Sequence, residues 1–247
     1  GDGNVAVGNA AMAYTSGSYN AAVGAYAGRF ATGSNNTFMG YEAGKGGTTS
    51  APYSSGENNV AMGYQALDGF TTGGDNIAIG RDALGSLTTG TQNVAIGNYA
   101  LDSITTTSSN TAIGYEAGKN GSNANFTLNV FVGKGAGKIS SGDGGDSLYN
   151  VGVGNDTLTS LNGGDKNVAI GRAAGNDITS GHENICIGYA ADINPANGTN
   201  QIVFGDELVG TANYRVHIGN STSHIYNDFN TNATWTHSSD RRQKKDI

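Results

Sequence analysis

The side chains that could do chemistry are few in this sequence, and their spacing argues against a reaction centre. Gly142-Asp143-Gly144-Gly145-Asp146-Ser147-Leu148 has the Gly and Asp spacing of a calcium loop, yet it occurs once, and such sites draw their oxygens from consecutive coils. The four histidines, His182, His217, His224 and His237, share no ligand spacing, and one cysteine, Cys186, permits no intrachain disulfide. Hydrolysing a polysaccharide would need two carboxylates held in one groove, whereas the acidic residues scatter over turns without converging. Thr-rich turns such as Thr105-Thr106-Thr107 do not recur in register, so no flat threonine array is expected. No enzyme activity, cofactor or metal is expected from these residues. Amides, hydroxyls and phenols remain, and their chemistry is that of binding.

Composition sets the frame for those groups. Among 247 residues there are 41 glycines and a single tryptophan, too little bulk for a three-dimensional hydrophobic core. The glycines follow no Gly-X-Y triplet, which excludes collagen, and periodic Val/Ile pairs argue against disorder. A net charge of −7 with scattered Lys and Arg offers no basic stripe, so neither nucleic acid nor an anionic membrane is an expected partner. No run is apolar enough for a signal peptide or a membrane span. The chain opens on Gly1 rather than Met and reads as a processed or excised piece.

Asn93-Val94-Ala95-Ile96-Gly97 is the pattern around which the chain is built. It recurs at Asn4, Asn20, Asn36, Asn59, Asn76, Asn93, Asn110, Asn129, Asn150, Asn167 and Asn184, at intervals of 16, 16, 23, 17, 17, 17, 19, 21, 17 and 17 residues. A period this short implies a solenoid. A half-unit follows each strand, as in Gly97-Asn98-Tyr99-Ala100-Leu101, and then a Ser/Thr/Gly-rich turn. The expected fold is all-β: a flattened parallel β-roll of about 11–12 coils over residues 1–205, two strands per coil, with coils about 4.8 Å apart. Asn suits the corner and can stack amide on amide from coil to coil; Gly supplies positive φ. Val94 and Ile96 are assigned to the roll interior. Ala95 and its equivalents, including Phe38, Phe131, Gly152 and Cys186, are assigned to a second buried face against neighbouring chains, which makes the rod a homotrimer around a long axis. Such uniform coils specify register weakly, and Phe38, Phe131 and Gly152 are expected to lock it. His217 replaces the small residue in the last strand, Tyr214–Gly219, and reads as packed or solvated. Residues 206–237 form a transition neck carrying Ile225, Tyr226, Phe229 and Trp235.

Extra length falls in Lys45–Glu57, Lys119–Leu128 and Lys138–Tyr149, expected as outer loops where receptor contact is built or insertions are simply tolerated. Tyr41, Tyr64, Arg81, Asn98, Tyr115, Lys134, Arg172 and Tyr189 follow the strand glycines as an exposed series. Their first role is packing from coil to coil, and glycan binding is the alternative.

The Asn-Val-Ala-Ile-Gly-x-x-Ala repeats, over about residues 4–205, resemble the head repeats of trimeric autotransporter adhesins and the shaft repeats of bacteriophage tail fibres, though with a slightly longer coil. The resemblance implies a trimeric parallel β-roll. Ser238-Ser239-Asp240-Arg241-Arg242-Gln243-Lys244-Lys245-Asp246-Ile247 resembles the opening of the C-terminal intramolecular chaperone of endosialidase-type phage tail spikes and fibres, with Gln243 in place of the usual Leu. That resemblance implies a trimerising template that releases itself through a Ser–Lys pair, Ser239 and Lys244 by position, in which Lys takes the Ser proton for attack on a neighbouring carbonyl. The pair would act only with the rest of the chaperone attached. Together these readings give a structural, host-receptor-binding segment of a viral tail fibre, in the virion and outside the cell. Its partners would be two further copies, other tail components and a cell-surface glycan or protein. A bacterial cell-surface trimeric adhesin and a polysaccharide-degrading tail spike are the alternatives.

Overall fold

The computed structural model describes residues 1–47, 53–120, 125–139 and 145–231. The tips of the three long units lie outside the described residues, as do Trp235, Ser239, Lys244 and Gly142, Asp143 and Gly144 of the candidate calcium loop.

Each repeat makes one strand of three residues. They are β1 (Val5–Val7), β2 (Ala21–Val23), β3 (Thr37–Met39), β4 (Val60–Met62), β5 (Ile77–Ile79), β6 (Val94–Ile96), β7 (Thr111–Ile113), β8 (Val130–Val132), β9 (Val151–Val153), β10 (Val168–Ile170) and β11 (Ile185–Ile187). Longer strands follow as β12 (Ile202–Asp206), β13 (Arg215–Asn220) and β14 (His224–Asp228). All lie in one sheet in chain order, parallel from β1 to β13, and β14 turns back antiparallel on β13 inside the expected neck. Register is residue for residue: Val94 lies on Ile77, Ala95 on Ala78, Ile96 on Ile79. The fold is therefore an all-β parallel solenoid of about twelve turns, without helix among the described residues.

The second wall of the roll is not a strand. Its half-units fold as overlapping turns, seen where Ala83 N bonds to Gly80 O at 3.4 Å, Gly85 N to Asp82 O at 3.2 Å and Leu87 N to Leu84 O at 3.1 Å. Every other residue takes positive φ, Asp82 and Leu84 both at 53°. That conformation costs a non-glycine residue about 1–2 kcal/mol. It persists because alternate amides bond to both adjacent coils, Asp82 N to Tyr64 O at 3.0 Å and Leu84 N to Ala100 O at 3.1 Å. Gly97, at φ 135°, is required for another reason: a Cβ there would stand 2.3 Å from the carbonyl oxygen of Gly114 in the next coil.

The two faces of the strand are reversed from the sequence expectation. Ala22, Ala61, Ala78, Ala95, Ala112 and Ala169 are wholly buried inside the single roll, and so are Phe38, Phe131 and Cys186. Val/Ile positions on either side point outward, with Val23 40% and Ile77 37% exposed. The cause is thickness. A roll with one sheet wall and one turn wall leaves room for a methyl from the first and a Leu from the second, so in β1 to β11 the β-branched side chains lie outside. Val203 in β12, where the regular coils end, is enclosed. Phe38, Phe131 and Gly152 thus face their own chain's interior and cannot lock register between chains, and Cys186 does not stand beside a symmetry mate.

Inside, the middle strand residue and the residue six positions later are never both large. Ala61, Ala78 and Ala95 face Leu67, Leu84 and Leu101; Phe38 and Phe131 pair with Gly44 and Gly137. A Cβ on Gly44 would lie 2.1 Å from Phe38 Cδ1, and one on Gly137 2.4 Å from Phe131 Cδ1.

The asparagines form a continuous buried ladder at the strand entry. Each side-chain Oδ1 accepts the backbone N–H of the Asn one coil later, at 2.8 Å from Asn20 to Asn4 and 3.0 Å from Asn110 to Asn93. Each Nδ2 donates to the turn carbonyl above it, Asn93 Nδ2 to Thr107 O at 2.9 Å. Replacing Asn93 with Ala strands the Asn110 N–H and the Thr107 carbonyl in the buried interior, and should cost about 2–6 kcal/mol at about 1–3 kcal/mol per unpaired group. A denaturant midpoint for Asn93→Ala no lower than that of Val94→Ala would contradict it. Phe131→Ala should lose about 3–5 kcal/mol to a cavity. Adding Gly137→Leu should restore part of that loss, although Gly137→Leu alone is destabilising, because Leu67, Leu84 and Leu101 already take φ of 50–53° at the equivalent place. A double-mutant cycle on unfolding free energies measures the coupling.

Candidate functional site

From Val5 to Phe204 the two outward columns of the sheet contain Val, Ile, Met, Ala, Thr and a final Phe, and no charged side chain. The columns stand about 7 Å apart, and twelve coils stretch the strip to on the order of 50 Å. Met39 is 45% exposed, Ile113 38% and Ile170 39%. A contiguous uncharged strip of several hundred Å² is as large as the largest apolar patch of an ordinary soluble monomer, and patches of that size are often functional.

Polar columns border it on both sides. Before each strand stands a positive-φ residue, such as Asn58, Asp75, Gln92 or Lys166, whose backbone N–H bonds to the coil before it, Asp75 N to Glu57 O at 2.9 Å. After each strand comes the Tyr/Arg series, which packs from coil to coil as the sequence suggested. Tyr41 and Tyr64 stack at 5.4 Å with planes 12° apart, Arg81 lies 5.7 Å from the Tyr64 ring centre and 5.4 Å from that of Tyr99, and Arg172 lies 5.5 Å from Tyr189.

The turn wall carries ion pairs that tie coil to coil. Lys45 bridges Glu42 at 3.0 Å and Asp68 at 3.5 Å; Glu116 binds Lys119 at 3.1 Å and also Lys138. Burial raises the Glu42 carboxyl, but hydrogen bonds from Gln65 and Lys45 outweigh it and hold the group below its ordinary range. The acidic residues converge more than the sequence indicated. Asp68 and Asp102 both reach toward Gly85, their Oδ1 atoms 3.8 and 3.3 Å from where its Cβ would be. Burial raises both carboxyls, and the charge of Asp82 between them adds to it. Lys45 and Lys119 oppose that rise, so the column belongs to the ion-pair ladder. The sequence signal was the 17-residue spacing of Asp68 and Gly85, and of Gly85 and Asp102. Threonines likewise stand in register over three coils, where the expectation was that they do not: Thr71 Oγ1 donates to Thr88 O at 3.0 Å and Thr88 Oγ1 to Thr105 O at 2.9 Å.

His217 is buried at the C-terminal end, its ring stacked on Tyr226 at 5.7 Å and 5.5 Å from His224. Burial lowers its pKa, and His224 and Arg215 lower it further. Among the described residues no group of three His, Cys, Asp or Glu side chains could hold a metal ion. Cys186 is buried, which pushes its thiol far up and leaves it inert. No described helix is long and apolar enough to cross a membrane.

Asp192 occupies the interior place that Leu or Gly fills in other coils, six residues after Cys186. Its Oδ2 accepts from Asp177 N and its Oδ1 from Ile193 N, both at 2.8 Å. Burial outweighs those bonds and raises the carboxyl from 3.8 to about 6. The folded chain thus favours the neutral acid, so this stabilisation is complete below pH 3.8 and is lost as pH rises through 6. Between pH 7.5 and 5 the wild type should gain about 1.4 kcal/mol relative to Asp192→Asn, roughly half of the full effect, the comparison cancelling the opposite contribution of His217. Parallel curves of unfolding free energy against pH for the two proteins would refute it.

In comparisons with known proteins the chain matches no family model, no curated protein and no solved structure.

Proposed function

We propose that this chain is a structural and receptor-binding segment of a viral tail fibre, in which three parallel copies bury their Val/Ile sheet faces around a common axis. The observation that carries the reading is the uncharged, outward-facing strip from Val5 to Phe204. Each half-exposed Val or Ile would gain about 1–2 kcal/mol on burial, which over a dozen coils exceeds the entropic cost of association. Three sheet faces close a triangular prism filled by Val, Ile and Met, and the number three comes from the likeness of the repeats to adhesin heads and fibre shafts. The turn walls, with the three long insertions, then face outward for attachment. The C-terminal segment with Ser239 and Lys244 supports maturation by a chaperone that aligns the copies and leaves by self-cleavage.

Light scattering on the purified chain should give three times its 25.0 kDa mass. Ile79→Lys, Ile96→Lys and Ile113→Lys together should yield monomers with an unchanged far-ultraviolet circular dichroism spectrum, since these side chains lie outside the roll. A wild-type monomer would overturn the reading, and so would a triple variant that keeps its assembly.

A further inference from the structure

Arg29 differs from the other shielded cations of the chain. Lys45, Lys119 and Arg215 each hold a carboxylate within 3.5 Å, whereas Arg29 holds none among the described residues. Its Nε is buried and has no acceptor. Aromatic rings surround it instead: the guanidinium carbon lies 4.9 Å from the ring centre of Phe30, 5.2 Å from Tyr26 and 6.0 Å from Tyr14. These contacts orient the guanidinium without neutralising it, and among the described residues no carboxylate pairs with its two Nη groups.

The longest insertion completes the cluster. Its returning limb is pinned to the second coil, where Ser54 N bonds to Phe30 O at 3.0 Å and Ala31 bridges Ser54. Pinning lays Tyr53 over the rings already present, 5.3 Å from Tyr14 and 5.9 Å from Phe30. Tyr14 and Phe30 are themselves 5.3 Å apart with planes 18° apart. Tyr14 is exposed, and the cluster lies on the turn wall, clear of the sheet face.

We propose that Arg29 with Tyr14, Phe30 and Tyr53 is a binding site for a carboxylated sugar. The guanidinium would donate two hydrogen bonds to the sugar carboxylate, and the apolar face of the pyranose would lie on the tyrosine rings. A guanidinium held by rings and without a carboxylate partner among the described residues selects a planar anion. The clustered rings, Tyr14 and Tyr53 each within 19° of Phe30 and 36° from one another, select an apolar face. Acidic sugars combine the two in one ring. The site narrows the receptor-binding reading to one chemical class and rests on it for its biological role. A negative sugar titration leaves the assembly reading intact, because light scattering judges that separately.

The test is a saturation-transfer NMR titration of the whole chain with glucuronic acid and with N-acetylneuraminic acid, against glucose and acetate. At least one acidic sugar should bind, with signals on its ring protons, and should bind roughly tenfold more tightly than glucose or acetate. Raising the salt concentration should weaken it. Arg29→Gln and Tyr53→Ala should each lower the affinity about tenfold while leaving the thermal midpoint within a few degrees. Equal binding of glucose would show that the charge is irrelevant, and equal binding of acetate that the site takes any carboxylate, an acidic protein included. Either result overturns the proposal, as would the absence of binding or an unchanged affinity in folded Arg29→Gln.

Discussion

The buried column of asparagine amides is the interaction on which the rest of the roll depends. A three-residue strand makes few backbone bonds, too few to hold a coil by itself. The ladder adds a donor and an acceptor per coil at the corner where the chain enters the sheet. It holds through the long units unchanged: Asn59 bonds to Asn36 across 23 residues at 2.8 Å, and Asn150 to Asn129 across 21 at 2.9 Å. In sequence the extra residues fall before the turn carbonyl that the ladder Asn holds, Gly56, Phe126 and Ser147 in the three long units, and the strand pairing is kept. Gln201 ends the series. Its N–H still bonds to Asn184 at 2.9 Å, but its longer side chain leaves Oε1 buried without a partner, and the chain moves from there into longer strands and a hairpin.

With spacing fixed by the ladder, the thinness of the roll decides everything about its faces. Hydrophobicity ranks Val and Ile above Ala for burial, and on that ranking Val94 and Ile96 go inside. Volume ranks them the other way, because the opposite wall already contributes Leu67, Leu84 or Leu101. The evidence for volume was in the sequence, in the pairing of Phe38 with Gly44 and of Phe131 with Gly137 six residues on. Two large residues never share a coil at these places. Periodicity reports that a strand has two faces; only such compensation reports which one is enclosed.

The repeat period, the number of coils, the strand positions and the amide ladder were all legible, because each follows from a residue type recurring at a fixed interval. The turn wall was not. Gly-x-x-Ala-Leu reads as a second strand, and nothing in Leu84 or Glu116 announces positive φ, which isolated chain would avoid. The stack imposes it, since only that geometry lets alternate amides reach the coils on both sides. Convergence of Asp68 and Asp102 on Gly85 was hidden for the same reason: side chains 34 residues apart become neighbours only once the pitch is known. The Arg29 cluster depends on an insertion folding back to Phe30, a contact that no local pattern encodes.

The same uniformity that makes the fold legible raises the question of alignment between copies. In the proposed trimer a slip of one coil would set Val and Ile against Val and Ile almost everywhere along the sheet face, so the apolar strip would favour association without specifying register. Phe38 and Phe131 are enclosed and contribute nothing to that choice. What varies on the outer face is smaller: Ala21, Thr37 and Thr111 in one column, Met39, Met62 and Phe204 in the other. A slipped pair would leave gaps beside Ala21 and crowd the methionines, a penalty of a few side chains against a dozen matching coils. Such a difference favours the aligned assembly at equilibrium but does little to hasten escape from a slipped one, because every intermediate slip buries the same kind of surface. An alignment device at one end of the rod, acting before the faces close, removes that kinetic problem, and this is the physical case for a C-terminal template on a shaft of this kind.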